Sequence, residues 1–103
     1  MTSKERAYLR SLAMTMDPIF QIGKSSLTPE ITEAVAEALE ARELIKINVL
    51  KNCIHEPKDI AAVLGERTHS EVVQVVGRKI TLYKPSKKKL IELPNTVKTN
   101  KTV

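Results

Sequence analysis

The residues Thr28 and Pro29 define the start of one helix, and this helix limits what the chain around it can form. Threonine is a good N-cap, because its hydroxyl can accept a hydrogen bond from an unpaired N–H of the first turn. Proline is well tolerated at the first helical position, since its missing N–H would have no partner there. The apolar residues that follow recur at helical spacing and predict a helix over residues 29–42 with one buried face: Ile31, Ala34, Val35, Ala38 and Leu39.

Short apolar runs on both sides of this helix predict strands. Residues 18–22 are long enough for a brief strand, and residues 44–50 alternate β-branched and polar side chains. A strand, a helix and a second strand in this order favour two parallel neighbours in a sheet.

Two further helices are indicated by their first residues. Thr2 and Glu5 have the spacing of a capping box and predict a helix over residues 3–14. Pro57 is expected to begin another helix. One face of the first helix is expected to be buried: Tyr8, Leu9, Leu12, Ala13 and Met16.

The last two strands form a hairpin in this interpretation. Residues 72–76 and 79–84 are separated only by Gly77 and Arg78, which fit a two-residue type II′ turn. The predicted order is therefore α-β-α-β-α-β-β, an α/β fold with a mixed sheet of four strands. With 103 residues, the chain is expected to hold a single domain over residues 1–94, followed by a disordered basic tail over residues 95–103.

The charge is concentrated near the C-terminus. The formal net charge is +5, yet residues 76–103 contain eight basic side chains and one acidic side chain. Residues 1–75 contain nine basic and eleven acidic side chains. This uneven distribution of charge along the chain favours a polyanionic partner, with nucleic acid ahead of an anionic membrane surface. A solvated lysine-rich tail is the alternative, and it is the preferred interpretation for Lys98 and Lys101.

The loop at residues 23–26, Gly-Lys-Ser-Ser, is a candidate phosphate contact. It lies between a predicted strand and a helix N-terminus, where unpaired N–H groups and the helix dipole attract anions. Lys24 adds a full positive charge. The alternative is an ordinary turn, and Glu30 in the first helical turn supports that alternative because it already supplies negative charge.

Few residues suggest catalysis, a metal or a cofactor. Cys53, His55 and His69 lack the paired spacing of a structural zinc site, and nothing marks them as a nucleophile with its base. Tyr83 and Phe20 are expected to be packed residues rather than a stacking platform. We expect no enzyme activity, cofactor, metal, small-molecule substrate or membrane span, and the single cysteine fits a cytoplasmic protein.

Five stretches in the same order resemble the CRM domain family (chloroplast RNA splicing and ribosome maturation), in particular its stand-alone bacterial YhbY-type members. They are residues 8–13, 18–24, 44–46, 73–79 and 82–85. The resemblance implies an α/β fold similar to the C-terminal domain of translation initiation factor three. It also implies RNA binding, association with precursors of the large ribosomal subunit, and no catalysis.

The resemblance further implies a loop of the form GxxG, similar to that of KH domains. Gly23 and Lys24 match its first two positions, and Ser26 replaces the second glycine. The Ser26 hydroxyl could then contact a phosphate. His69 replaces a glycine expected at a helix end, and histidine tolerates the left-handed conformation that such a position needs.

Two functions remain open at this point. The first is binding of ribosomal RNA during large-subunit maturation. The alternative is a protein-interaction module that docks a basic ribosomal protein on an acidic helix face formed by Glu30, Glu33, Glu37 and Glu40. A DNA-binding domain ranks below both, because no helix-turn-helix pattern is present. The residues expected to contact RNA are Gly23, Lys24, Ser25, Ser26, Lys46, Arg78, Lys79, Lys84, Lys87, Lys88 and Lys89.

Overall fold

A computed structural model describes residues 1–94 and confirms the predicted fold class and order of elements. The predicted tail, residues 95–103, lies outside the described residues. The elements are α1 (Ser3–Ala13), β1 (Phe20–Ile22), α2 (Pro29–Arg42), β2 (Leu44–Val49), α3 (Pro57–Thr68), β3 (Glu71–Val76) and β4 (Lys79–Tyr83). Among residues 1–94, no helix has both the length and the apolar character needed to cross a bilayer.

The four strands form one mixed sheet in the order β1-β2-β4-β3. β1 and β2 are parallel neighbours joined by α2, with Phe20 opposite Ile47. α3 then carries the chain past an open position to β3, and β4 returns antiparallel into that position between β2 and β3. The hairpin turn at Gly77 and Arg78 has a positive φ of 60° at the glycine only, as a type II′ turn requires.

The helix ends confirm most of the local predictions. Thr2 and Glu5 form the complete capping box of α1. The Thr28 hydroxyl accepts a hydrogen bond from the Ile31 N–H at 3.2 Å, with proline at the first helical position. α3 ends at His69 in the left-handed conformation, where the resemblance implied glycine.

The two faces of the sheet bury separate cores. The face toward α2 and α3 carries the larger core: Ile22, Val35, Leu39, Ile45, Ile47, Val49, Cys53, Ile60, Ala61, Leu64, Ile80 and Leu82. α1 covers part of the opposite face over a smaller core: Leu9, Ala13, Leu44, Val73 and Tyr83.

Three aromatic side chains test the burial predictions. Phe20 packs against the larger core, as predicted. Tyr83 is only 4% exposed, so it is a packed strand residue rather than a stacking surface. The expectation that Tyr8 is buried is wrong, because this side chain is 37% exposed at the edge of the α1 stripe.

A β-bulge in β3 allows this strand to serve both cores. The register shifts between Val72 and Gln74, which leaves Val73 as the extra residue. Val72 and Val75 therefore pack on the larger core, while Val73 points into the smaller one. Without the bulge, a period of two would place Val72 and Val75 on opposite faces.

Arg6 of α1 stabilises this bulge. Its guanidinium donates to the carbonyl oxygens of Val72 at 2.7 Å and Val73 at 3.2 Å. It also pairs with the Glu71 carboxylate at 2.8 Å. The hydrogen bonds provide partners for carbonyl groups at the irregular point of the ladder and hold α1 against β3.

Replacement of Arg6 by alanine should lower the free energy of unfolding by about 1–3 kcal/mol, because hydrogen bonds between a charged donor and two carbonyl groups are lost. Urea unfolding monitored by circular dichroism would measure this change. Arg10→Ala, an exposed position on the same helix, is the control and should change stability by less than about 0.5 kcal/mol. Equal effects of the two variants would contradict the assigned role of Arg6.

Candidate nucleic-acid interface

The loop of residues 23–26 is a tight turn that presents its two central side chains to solvent. The Ser26 N–H donates to the Gly23 carbonyl oxygen at 2.9 Å. Lys24 and Ser25 lie between them and are exposed. Gly23 is closely packed, since a Cβ at this position would lie 3.3 Å from Asn52 Oδ1. The turn is thus held against the segment that follows β2.

The side chain of Ser26 points into the protein. Ser26 has a φ of 56° and is only 6% exposed. Its Oγ lies 2.7 Å from His55 Nδ1, and the Cys53 thiol donates to it at 3.7 Å. The expectation that the Ser26 hydroxyl reaches a phosphate does not fit this geometry, because the hydroxyl is used to bind the turn to residues 53–55. Lys24 and Ser25 carry the outward-facing side chains of this loop.

The tip of the β3–β4 hairpin is tied to the end of β2 by Arg78. Its Nε donates to the Val49 carbonyl oxygen at 2.8 Å and its Nη2 donates to the Leu50 carbonyl oxygen at 2.8 Å. In the opposite direction, the Val49 N–H donates a hydrogen bond to the Arg78 carbonyl oxygen at 2.8 Å. A carbonyl oxygen carries no full charge, so these bonds position the guanidinium without neutralising it.

The sheet topology places the turn at 23–26 and the hairpin tip at one edge of the protein. β1 and β2 are parallel, so the segments that follow them begin at the same end of the sheet. β4 is antiparallel to β2, with Lys79 opposite Asn48, so the hairpin tip lies there too. We call residues 23–26, 50–56 and 77–79 the loop edge.

The remaining predicted lysines lie at the opposite edge. Lys84 follows the end of β4, where Tyr83 pairs with Leu44 at the start of β2. Between Lys79 and Tyr83 the strand extends about 13 Å at roughly 3.3 Å per residue. We call residues 84–89 the lysine edge. The structure thus places the basic side chains of residues 78–89 in two groups, one at each end of β4.

A buried carboxylate, that of Glu43, organises the lysine edge. Glu43 is 0% exposed and forms the single-residue connection between α2 and β2. One oxygen, Oε2, accepts from the Ser86 N–H at 2.9 Å, the Ser86 hydroxyl at 2.5 Å and the Leu90 N–H at 2.9 Å. The other, Oε1, accepts from the Ile91 N–H at 2.9 Å. These bonds fold the segment after β4 around the carboxylate.

The hydrogen bonds keep this carboxylate ionised. Burial alone raises the pKa of Glu43, but donation from the Ser86 hydroxyl and from the N–H groups of Ile91, Ser86 and Leu90 outweighs burial and lowers the pKa from 4.5 to about 2. Burial, together with the negative charges of Glu43 and Glu5, raises the pKa of Tyr83.

The lysines of this edge point outward from the folded segment. Lys87, Lys88 and Lys89 are exposed, while Lys84 is half-buried. The Lys88 N–H donates to the Ser86 hydroxyl oxygen at 3.2 Å, and Lys89 adopts a positive φ of 50°. The three lysines therefore project from a turn that backbone hydrogen bonds define.

Lys46, another predicted RNA contact, lies at neither edge but beside the end of α1. Its ammonium group donates to the carbonyl oxygens of Ala13 at 2.8 Å and Met16 at 3.2 Å. These groups lie at the end of α1, where a cation complements the helix dipole. Lys46 thus holds α1 on the sheet, and its charge is presented beside that helix.

The residues considered for metal or nucleophilic chemistry serve packing and turns. Cys53 is 8% exposed within the larger core, His55 binds Ser26, and His69 ends α3. Within the described part of the chain, no three histidine, cysteine or acidic side chains are grouped as metal ligands would be.

Comparison with known proteins identifies the family. Residues 1–84 match the CRS1/YhbY (CRM) domain family. The chain belongs to the CRM domain family. It is 47% identical over 95 residues to the probable RNA-binding protein YqeI of Bacillus subtilis, with 91% of this chain and 99% of the relative covered. It is 29% identical to an RNA-binding protein of Haemophilus influenzae over 94 residues, 91% and 95% of the two chains.

A solved structure shares the CRM fold. It is the solution structure of a hypothetical protein from Staphylococcus aureus, described there as a candidate RNA-binding protein. The two chains are 48% identical and superpose with a TM-score of 0.77 over 91% of this chain and 99% of the other. The relatives are named as RNA-binding proteins, and none of these names describes an enzyme.

Glu43 is the residue of this interface that sequence reasoning missed. A helix ending at residue 42 and a strand beginning at residue 44 leave only Glu43 for the reversal between them, so a special backbone conformation could be expected there. Its φ is 69°. The partners of its carboxylate could not be expected, because they lie 43–48 residues further along the chain.

Replacement of Glu43 by glutamine should lower the free energy of unfolding at pH 7 by about 1–3 kcal/mol, because one acceptor oxygen is replaced by a donor that faces N–H groups. The folded pKa lies below the unfolded pKa, so ionised Glu43 stabilises the fold fully above pH 4.5. This contribution is lost as the pH falls from 4.5 toward about 2. In urea unfolding across this pH range, the free energies of unfolding of the wild type and of Glu43→Gln should converge as the pH falls.

The matched control is Glu40→Gln, an exposed position one turn earlier on α2. It removes the same charge and should change the free energy of unfolding by less than about 0.5 kcal/mol. A constant difference between wild type and Glu43→Gln from pH 7 to pH 2 would contradict the assigned role of the ionised carboxylate.

Proposed function

We propose that this protein binds ribosomal RNA and assists maturation of the large ribosomal subunit, without catalysing a reaction itself. The observation that carries the proposal is the display of Lys87, Lys88 and Lys89 on a turn built around a buried carboxylate. The carboxylate is satisfied by N–H and O–H donors rather than by these lysines. Their charges remain available to an external anion, in a chain whose relatives are named for RNA binding.

The loop edge supplies the second part of the RNA contact. Lys24 and Ser25 project into solvent from the turn that precedes α2, and Lys24 adds a positive charge there. Arg78 and Lys79 lie at the same edge. The GxxG resemblance assigns backbone contacts to this turn, and the inward orientation of Ser26 keeps its side chain out of the way of an approaching phosphate.

Two separate basic edges fit an RNA that presents phosphate groups at more than one place. The edges are separated by roughly the 13 Å length of β4, so a partner that neutralises both must present phosphate groups at two places. Structured ribosomal RNA does this with neighbouring backbone segments. In this proposal, the protein binds the RNA backbone through its positive charges and holds backbone segments in position. We place this function in the cytoplasm, where large-subunit precursors are assembled in bacteria.

Replacement of Lys87, Lys88 and Lys89 by alanine should weaken binding to a large-subunit ribosomal RNA fragment and reduce the salt dependence of binding. Each phosphate contact contributes about 0.7–0.9 to the slope of log K against log salt concentration, so the loss of three contacts lowers the slope by about 2–3. Filter binding or fluorescence anisotropy at several salt concentrations would measure the slope.

A control variant removes three exposed cations outside both edges, Lys4, Arg42 and Lys58. It lowers the net charge equally and should leave most of the salt slope intact. If the two triple variants have the same slope, general charge rather than the lysine edge determines binding, and the proposal loses its main support.

The acidic face of α2 supports a second candidate function. Val35 and Leu39 are buried in the larger core, whereas the four glutamates predicted to form a separate face are all exposed: Glu30, Glu33, Glu37 and Glu40. An exposed acidic stripe on a helix is complementary to a basic protein surface, and ribosomal proteins offer such surfaces.

Gradient sedimentation of cell extracts separates the two functions. We expect the wild type to co-sediment with large-subunit precursors, Glu33→Lys/Glu37→Lys to do the same, and the Lys87/Lys88/Lys89→Ala variant to shift toward the top of the gradient. Loss of ribosomal association in the glutamate variant alone, with binding to naked RNA intact, would favour docking of a basic protein through α2. Absence of the wild type from every ribosomal fraction would contradict both functions.

A further inference from the structure

A groove on the open part of the sheet shares residues 77–79 with the loop edge, but its other lining residues belong to neither edge. It lies on the face opposite α2 and α3, beside the C-terminal end of α1, and has a volume of about 500 Å³. Its lining comes from α1, from the middle of the sheet and from the β3–β4 hairpin.

The groove is strongly basic for its size. Four of its nine lining residues are cationic, Arg10, Lys46, Arg78 and Lys79, and none is acidic. Lys46 and Arg78 are held by backbone carbonyl oxygens, which position their charges without cancelling them. Positive charge fixed in a concave surface attracts an anionic chain more strongly than the same charge on mobile surface side chains.

The floor and the rims of the groove differ in character. Gln74 and Thr81, paired opposite each other on β3 and β4, provide polar side chains in the floor. Met14 and Val76 stand at the rims and are 75% and 61% exposed. Apolar side chains above a polar, basic floor offer a surface to the flat face of a base and a place for its phosphate.

We propose that this groove binds an unpaired stretch of one or two RNA nucleotides, with phosphates at Arg10 and Lys79 and a base packed between Met14 and Val76. Gln74 then hydrogen-bonds the edge of that base. The inference rests on the proposed RNA binding and adds to it a second kind of contact, with single-stranded RNA rather than with the backbone of folded RNA. In a duplex, bases are stacked on one another and cannot reach the apolar rims.

The chain provides a closely matched pair of variants for the test. Arg10→Glu places an anion in the groove, and Lys4→Glu makes the same change of charge at an exposed position on the same helix, outside the groove. Binding would be measured with a single-stranded oligouridylate probe by fluorescence anisotropy. Arg10→Glu should weaken binding about tenfold and Lys4→Glu less than about threefold.

A second measurement locates the probe on the wild-type protein. Titration with the oligouridylate should shift the methyl resonance of Met14 and the amide resonances of Gln74 and Thr81 in NMR spectra. A Gln74→Ala variant should alter the preference among oligonucleotides of different base composition while leaving the salt dependence of binding unchanged, because glutamine carries no charge.

The outcomes distinguish the groove from the proposed function. If the wild type binds ribosomal RNA but Arg10→Glu and Lys4→Glu bind the oligouridylate equally and the groove resonances do not shift, the groove proposal is overturned and the proposed function stands. If Arg10→Glu weakens binding of an RNA duplex as much as binding of the single strand, the assignment of unpaired RNA to the groove is overturned. If the wild type binds neither RNA, the proposed function itself fails.

Discussion

The Glu43 carboxylate lies where the end of α2, the start of β2 and the segment after β4 meet. A buried charge is costly unless it is fully hydrogen-bonded, and here donors from Ser86, Leu90 and Ile91 occupy both oxygens. A lysine ammonium group is another common partner for a buried carboxylate. Because backbone and hydroxyl donors satisfy the charge here instead, the lysines of the same segment remain available to the solvent and to an external anion.

Local signals were sufficient to predict the elements but not their relative positions. Thr2, Thr28 and Pro57 mark helix starts through interactions within one turn, and Gly77 marks the hairpin, so these predictions depended on neighbouring residues alone. The contact of Arg78 with the Val49 and Leu50 carbonyl groups depends on the insertion of β4 between β2 and β3, which is a property of the whole sheet. The bulge at Val73 likewise depends on Arg6, which lies more than sixty residues earlier.

The loop at residues 23–26 shows why a motif can retain its geometry after losing a defining residue. Its first glycine leaves room for the Asn52 side chain, which a Cβ would approach to 3.3 Å. Its fourth position needs a left-handed backbone, which serine adopts at some cost. The bond from Ser26 to His55 offsets part of that cost and turns the side chain inward. The replacement of glycine by Ser26 is visible in the sequence. Its compensation depends on His55, in the loop after β2, and only the structure shows this contact.

The exposed glutamates of α2 give the protein two electrically different sides. The basic groove occupies one face of the sheet and the acidic helix covers the other, with the basic edges between them. A polyanion bound at the edges and in the groove, as proposed, would be repelled by α2, which favours orientations with this helix away from the RNA. The helix then faces outward, and a second macromolecule approaching the complex meets a patch of negative charge on a surface that is otherwise covered by phosphate.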